Sequence, residues 1–165
     1  MNLEKNIYYG RYIPPTLKKT KGVIFIGEKP SLYYKKHSEL LYLGNYNSPT
    51  RPDQELQKRI SKYLKGSVFI TDMVKSPGKP GDDFVSQWNR NKKWKLLLKK
   101  DLKKLTPKIV IVMSRKAEEL FKKSFPEYEK VFYFLQPSYA VRYNHLQEWD
   151  KQFKELAKKL TDLAV

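Results

Sequence analysis

Four short apolar runs, Val23–Ile26, Val68–Thr71, Ile109–Met113 and Val131–Leu135, constrain the fold of this chain more than any other feature. Each is a nearly continuous series of β-branched, aromatic and other apolar residues, the pattern of strands buried on both faces. Such strands need helices on both sides of their sheet, and the segments between the runs have helical spacing. Pro52–Leu64 opens with proline in its first turn, then Asp53 and Glu55, and puts Leu56, Ile60 and Leu64 on one face. Val85–Leu105 reads as one helical segment, with Trp88, Trp94, Leu97, Leu98, Leu102 and Leu105 at mixed three- and four-residue steps and a polar face that is almost all lysine. Ser114 is placed to cap a helix reaching Phe125, and a last helix spans 146–163 with Trp149, Phe153, Leu156 and Leu160 inward. The first 20 residues read as an irregular arm, and the 165 residues as one domain.

Charge narrows the choice of partner. The chain has 34 Lys plus Arg against 17 Asp plus Glu, a formal charge of +17. Heat-stable proteins rich in lysine usually balance it with glutamate, which does not happen here. So large an excess repels itself unless a polyanion compensates it, which points to nucleic acid before membrane lipid. Cysteine is absent, which excludes disulfides, thiol nucleophiles and cysteine-bound metal or iron–sulfur centres. The opening residues lack the apolar core of a signal peptide, and no apolar run approaches the length of a membrane span. A cytoplasmic monomer that does not engage membranes is the expectation.

In open parallel sheets, sites form beyond the carboxyl ends of the strands. Three of the segments there are polar and rich in proline or glycine: GEKPS at Gly27–Ser31, TDMVKSPGKPGDD at Thr71–Asp83, and QPSYAVRY at Gln136–Tyr143. Their order, spacing and positions after strands resemble the uracil-DNA glycosylase superfamily, over Gly22 to Arg142. The similarity is greatest to its iron–sulfur branch, although the cluster cysteines are missing, so no cofactor is expected.

The resemblance implies an α/β fold, a three-layer α/β/α sandwich around a four-stranded parallel sheet. It also implies an enzyme that flips a base out of DNA and hydrolyses its N-glycosidic bond. DNA, either duplex or single-stranded, is the implied partner. By the same resemblance Tyr42 matches the aromatic that stacks on the base. Pro137, Ser138, Tyr139 and Ala140 match the wedge that fills the gap in the duplex, with Arg142 on the phosphates. Ser31 in the first loop, and Lys75, Ser76, Gly78 and Lys79 in the second, match backbone-gripping positions. The competing readings are a core tyrosine for Tyr42 and a plain surface turn for the Pro-Gly-Lys-Pro-Gly stretch.

Departures from the family pattern fall on the chemical positions. Lys29 stands where the family has Asp, Asn or Ala, Asp72 where it has a base-reading Asn, and Gln136 where it has the leaving-group His. Asn both donates and accepts, matching uracil O4 and N3–H, whereas an ionised Asp72 only accepts. Such a group would repel O4 and suit an exocyclic amine or the N1–H of a purine. Gln136 can donate to a carbonyl, but stabilises developing negative charge less than an imidazolium does. Lys29 is open to two readings: a Schiff-base nucleophile if neutral, or a charged group paired with Glu28 or Asp72. Glu28 is the remaining candidate to orient a water.

His37 and His145 have no partner at metal-ligand spacing, and read as solvated or capping residues. Two further functions stay open. One is a DNA-binding relative that has lost the chemistry. The other is a metal-dependent nuclease using Glu28, Asp72, Asp82 and Asp83, although a DD pair ahead of a helix commonly caps it.

Overall fold

A computed structural model describes residues 7–9, 22–29, 51–64, 68–76 and 79–163. The apolar runs become strands β2 (Val23–Gly27), β3 (Val68–Asp72), β4 (Ile109–Val112) and β5 (Val131–Tyr133), all parallel. A further strand, β1 (Ile7–Tyr9), pairs in parallel with β3, Ile7 opposite Val68 and Tyr9 opposite Ile70. The sheet therefore has five strands, in the order β1-β3-β2-β4-β5, rather than the four expected. Part of the supposed irregular arm supplies an edge. A three-residue strand is too short to show periodicity, so its partner β3 defines it.

Every residue of β2, β3 and β4 is buried, and the side chains alternate between two cores. On one face Val23, Phe25, Val68, Ile70, Ile109 and Ile111 pack against helices α1 (Arg51–Tyr63), α5 (Pro137–Arg142) and α6 (Leu146–Leu163). Phe25 and Phe153 stack there with centroids 5.8 Å apart, and Phe134 meets Phe153 edge-on at 5.1 Å. On the other face Ile24, Ile26, Phe69, Val110 and Val112 pack against α2 (Phe84–Arg90), α3 (Lys93–Leu105) and α4 (Arg115–Ser124). The result is the expected three-layer α/β/α arrangement.

Arg59 ties α1 to α6. Its Nη1 donates to Glu55 Oε2 at 2.7 Å, its Nε lies 3.0 Å from Asp150 Oδ1, and its guanidinium covers Trp149. The Arg59 hydrogen bond holds the Glu55 carboxyl below its ordinary range, against the opposing effect of burial.

Two segments differ from the sequence expectation. Val85–Leu105 is two helices, parted at Asn91, whose backbone is extended and whose Oδ1 accepts from the Lys93 N–H at 3.1 Å. An asparagine side chain that bonds the nearby backbone competes with helix continuation. The segment after β5 is also no open loop: from Pro137, its first helical residue, it turns into α5.

Candidate functional site

The carboxyl edge of the sheet is built by backbone pairing that runs past the strands. Met73 N–H donates to Gly27 O at 2.9 Å and Val74 N–H to Glu28 O at 3.0 Å, which lays the first loop beside the second. Gly27 pairs with Asp72 across the ladder. A Cβ on Gly27 would lie 2.5 Å from Asp72 Oδ1, so the Asp72 carboxylate fills the space a side chain at position 27 would take. Asp72 is buried, at 9% exposure, while Glu28 and Lys29 are half-buried.

The second loop is locked by its own chemistry. Lys79-Pro80-Gly81-Asp82 forms a turn in which Asp82 N–H donates to Lys79 O at 3.0 Å and Gly81 takes φ +85°. Proline then glycine at the central positions is the sequence such a turn requires. Asp82 Oδ2 accepts from the Lys79 N–H at 2.8 Å, and Lys29 Nζ reaches across to donate to the Asp82 carbonyl. Lys29 therefore links the first two loops through Asp82. Asp83 caps α2, accepting from Ser86 N–H at 3.3 Å.

Lys75 corrects the sequence reading. It was expected to grip phosphate, yet it is 1% exposed. Its Nζ bonds Thr71 Oγ1 at 2.5 Å and the Asp72 carbonyl at 3.1 Å, and pairs with Asp101 Oδ2 of α3 at 3.0 Å. An ammonium so enclosed cannot reach a DNA backbone. Its role is internal: it fixes the backbone that carries Asp72. Ser76 beside it is half-buried, and Lys79 is exposed.

At the far side of the edge, Gln136 precedes α5 with extended backbone and makes no side-chain capping bond. Pro137 is half-buried, while Ser138, Tyr139 and Arg142 are exposed. The Tyr139 ring lies parallel to that of His145, 5.0 Å between centroids and 7° between planes, with Tyr143 also at 5.0 Å. His145 is itself 3.3 Å from Glu148 Oε2 through Nδ1. Arg115, from the segment after β4, stacks on Tyr133 with its guanidinium carbon 3.6 Å from the ring centre. Ser31, Tyr42 and Gly78, like His37, lie outside the described residues.

Sequence reasoning missed Asp101 and the His145–Tyr139 stack. Asp101 had a signal, being the one acid in a lysine-only helix. His145 had none, because Asn144, with φ 56°, turns the chain back to bring the rings together. Among the described residues no group of three or more His, Asp or Glu is arranged to hold a metal ion. Nor is any described helix long and apolar enough to cross a membrane.

Layering and strand direction define an α/β/α domain with polar loops beyond the carboxyl ends of parallel strands. The chain belongs to the uracil DNA glycosylase superfamily, whose family model matches residues 14–163. Comparison with curated proteins found none that matches.

Proposed function

We propose that the protein is a DNA glycosylase with a base preference different from that of a uracil enzyme. The observation that carries the reading is the placement of Asp72 over Gly27, a buried carboxylate at the carboxyl edge beside Glu28. An ionised carboxylate only accepts, so it favours a base that presents an N–H to it. Hypoxanthine and xanthine do so through N1–H and uracil through N3–H, and the purine N1–H, set farther from the sugar by the second ring, is the one assigned here to Asp72. In this reading Glu28 orients the attacking water and Gln136 donates to the departing base. Tyr42 stacks on the base, while Tyr139 and its neighbours Pro137 and Ser138 fill the duplex. Ser31, Ser76, Gly78, Lys79 and Arg142 meet phosphates.

The bond of Lys29 to the Asp82 carbonyl engages its amine with the second loop and favours a structural lysine over a Schiff-base nucleophile. Hydrolysis without strand cleavage follows from that. The same bond, with Asp72 and Gln136 at the chemical positions, supports a second reading, a DNA-binding relative without catalysis.

The test is a panel of labelled oligonucleotides, each with one uracil, hypoxanthine, xanthine or mismatched base, incubated with protein and a chelator. Strand cleavage only after hot alkali marks base removal. Cleavage without alkali that Lys29→Ala abolishes assigns a lyase, and intact strands that still bind the protein assign the non-catalytic relative.

A further inference from the structure

Helix α3 is charged unlike the other long helices described. It carries Lys93, Lys95, Lys99, Lys100, Lys103 and Lys104, all exposed, and its one carboxylate, Asp101, is turned inward to Lys75. Asp53 and Glu55 interleave the basic residues of α1, Glu118 and Glu119 those of α4, and α6 has four acids to four lysines. Arg90 and Lys92, also exposed, extend the basic run ahead of α3.

This layout works against the helix. Lysines at 95 and 99, 99 and 103, and 100 and 104 are four residues apart, where like charges repel. The first turn has no acid, and only the neutral Asn91 side chain meets its leading N–H, so its lysines lie at the positive end of the helix dipole. Lys103 and Lys104, in the last turn, suit the helix dipole, but the repulsion along the stripe is relieved only by a bound polyanion. Leu96, 65% exposed among these lysines, adds an apolar surface of the kind that sugars cover.

β3 and β4 are parallel, so α3, which returns the chain between them, runs antiparallel to the strands and starts at the carboxyl edge. Its 13 residues extend about 20 Å from that edge, with lysines recurring about every 6 Å along one stripe.

We propose that the lysine face of α3 is a second nucleic-acid contact, which binds sugar–phosphate backbone without reading sequence. It holds the strand that flanks the base-binding edge. The proposal needs nucleic acid as partner but no excision chemistry, so it stands apart from the reading above.

The test compares the full chain with a variant carrying Lys95→Gln, Lys99→Gln and Lys103→Gln, and with a control carrying Lys151→Gln, Lys154→Gln and Lys158→Gln on α6. Binding to single-stranded and duplex 30-mers is measured by fluorescence anisotropy across a salt series, with circular dichroism to confirm folding. The α3 variant is expected to bind about tenfold or more weakly at low salt, its log K against log salt slope shallower by about two to three. The control is expected to lose much less. Equal losses in the two variants, or an unchanged slope in the first, would overturn the proposal. So would binding to phosphatidylserine vesicles that the α3 substitutions abolish while the DNA slope stays the same, which would assign the face to lipid. Base excision, assayed on the same proteins, reports separately on the proposed chemistry.

Discussion

Lys75 and Asp101, from the loop after β3 and from α3, form an ion pair at 3.0 Å, with the lysine 1% exposed and the aspartate 7%. Burial pushes the Asp101 carboxyl above its ordinary range, and the Lys75 charge opposes that rise. Enclosed pairs of this kind add little net stability, because desolvation offsets their attraction. What the pair does is positional. The same ammonium that meets Asp101 also holds the Asp72 carbonyl, so α3 is braced against the loop after β3.

Removing one partner strands the other. Lys75→Met and Asp101→Asn are each expected to cost about 3–5 kcal/mol, and Lys75→Met with Asp101→Leu far less than their sum. Urea denaturation of the four proteins measures this directly. In Lys75→Met the uncompensated Asp101 carboxyl rises further. The loss is then expected to be full above that raised value and to shrink as pH falls through it, where the protonated form is buried without charge.

Gly27→Ala tests the space above Asp72. A Cβ placed 2.5 Å from Asp72 Oδ1 forces the carboxylate aside. Base excision, or binding to a modified oligonucleotide, is expected to fall about tenfold or more, as when a buried polar contact is lost. In an Asp72→Ala background the same substitution is expected to cost nothing further.

Asp72→Asn restores a side chain that can donate as well as accept. Excision of uracil is expected to rise by about tenfold or more, because the amide pairs both O4 and N3–H. An unchanged rate on uracil would remove Asp72 from base reading.

Acid stability depends on the link between α1 and α6. The Glu55 carboxyl is held below its ordinary 4.5, chiefly by the Arg59 hydrogen bond, so its contribution is present above pH 4.5 and lost as pH falls through the lowered value. Thermal midpoints measured from pH 6 down to pH 3 are expected to fall less steeply in Glu55→Gln than in the parent chain.

The strands of the central sheet were legible because burial on both faces leaves an unbroken apolar signature, and Trp149 and Phe153 announced α6 for the same reason. The break in Val85–Leu105 also left a trace. Trp88 and Trp94 are both buried yet six residues apart, a step that one helical face does not accommodate. β1 left none, being three residues whose strand character comes from β3. At the site, the glycine-proline turn around Gly81 could be read from residue types alone. Lys75 could not: in a polar, proline-rich stretch it looks solvent-facing, and its burial depends on an aspartate 26 positions away on another element.

The central claim is that the carboxyl edge around Asp72 cleaves an N-glycosidic bond. The most direct measurement is mass-spectrometric detection of free base after a single turnover on oligonucleotides holding uracil, hypoxanthine or xanthine, with chelator present. The account predicts release of free base with the sugar–phosphate backbone intact, hypoxanthine or xanthine ahead of uracil, and loss of release on Asp72→Ala. Tight binding with every base still attached would contradict it and leave a protein that grips DNA without excising from it.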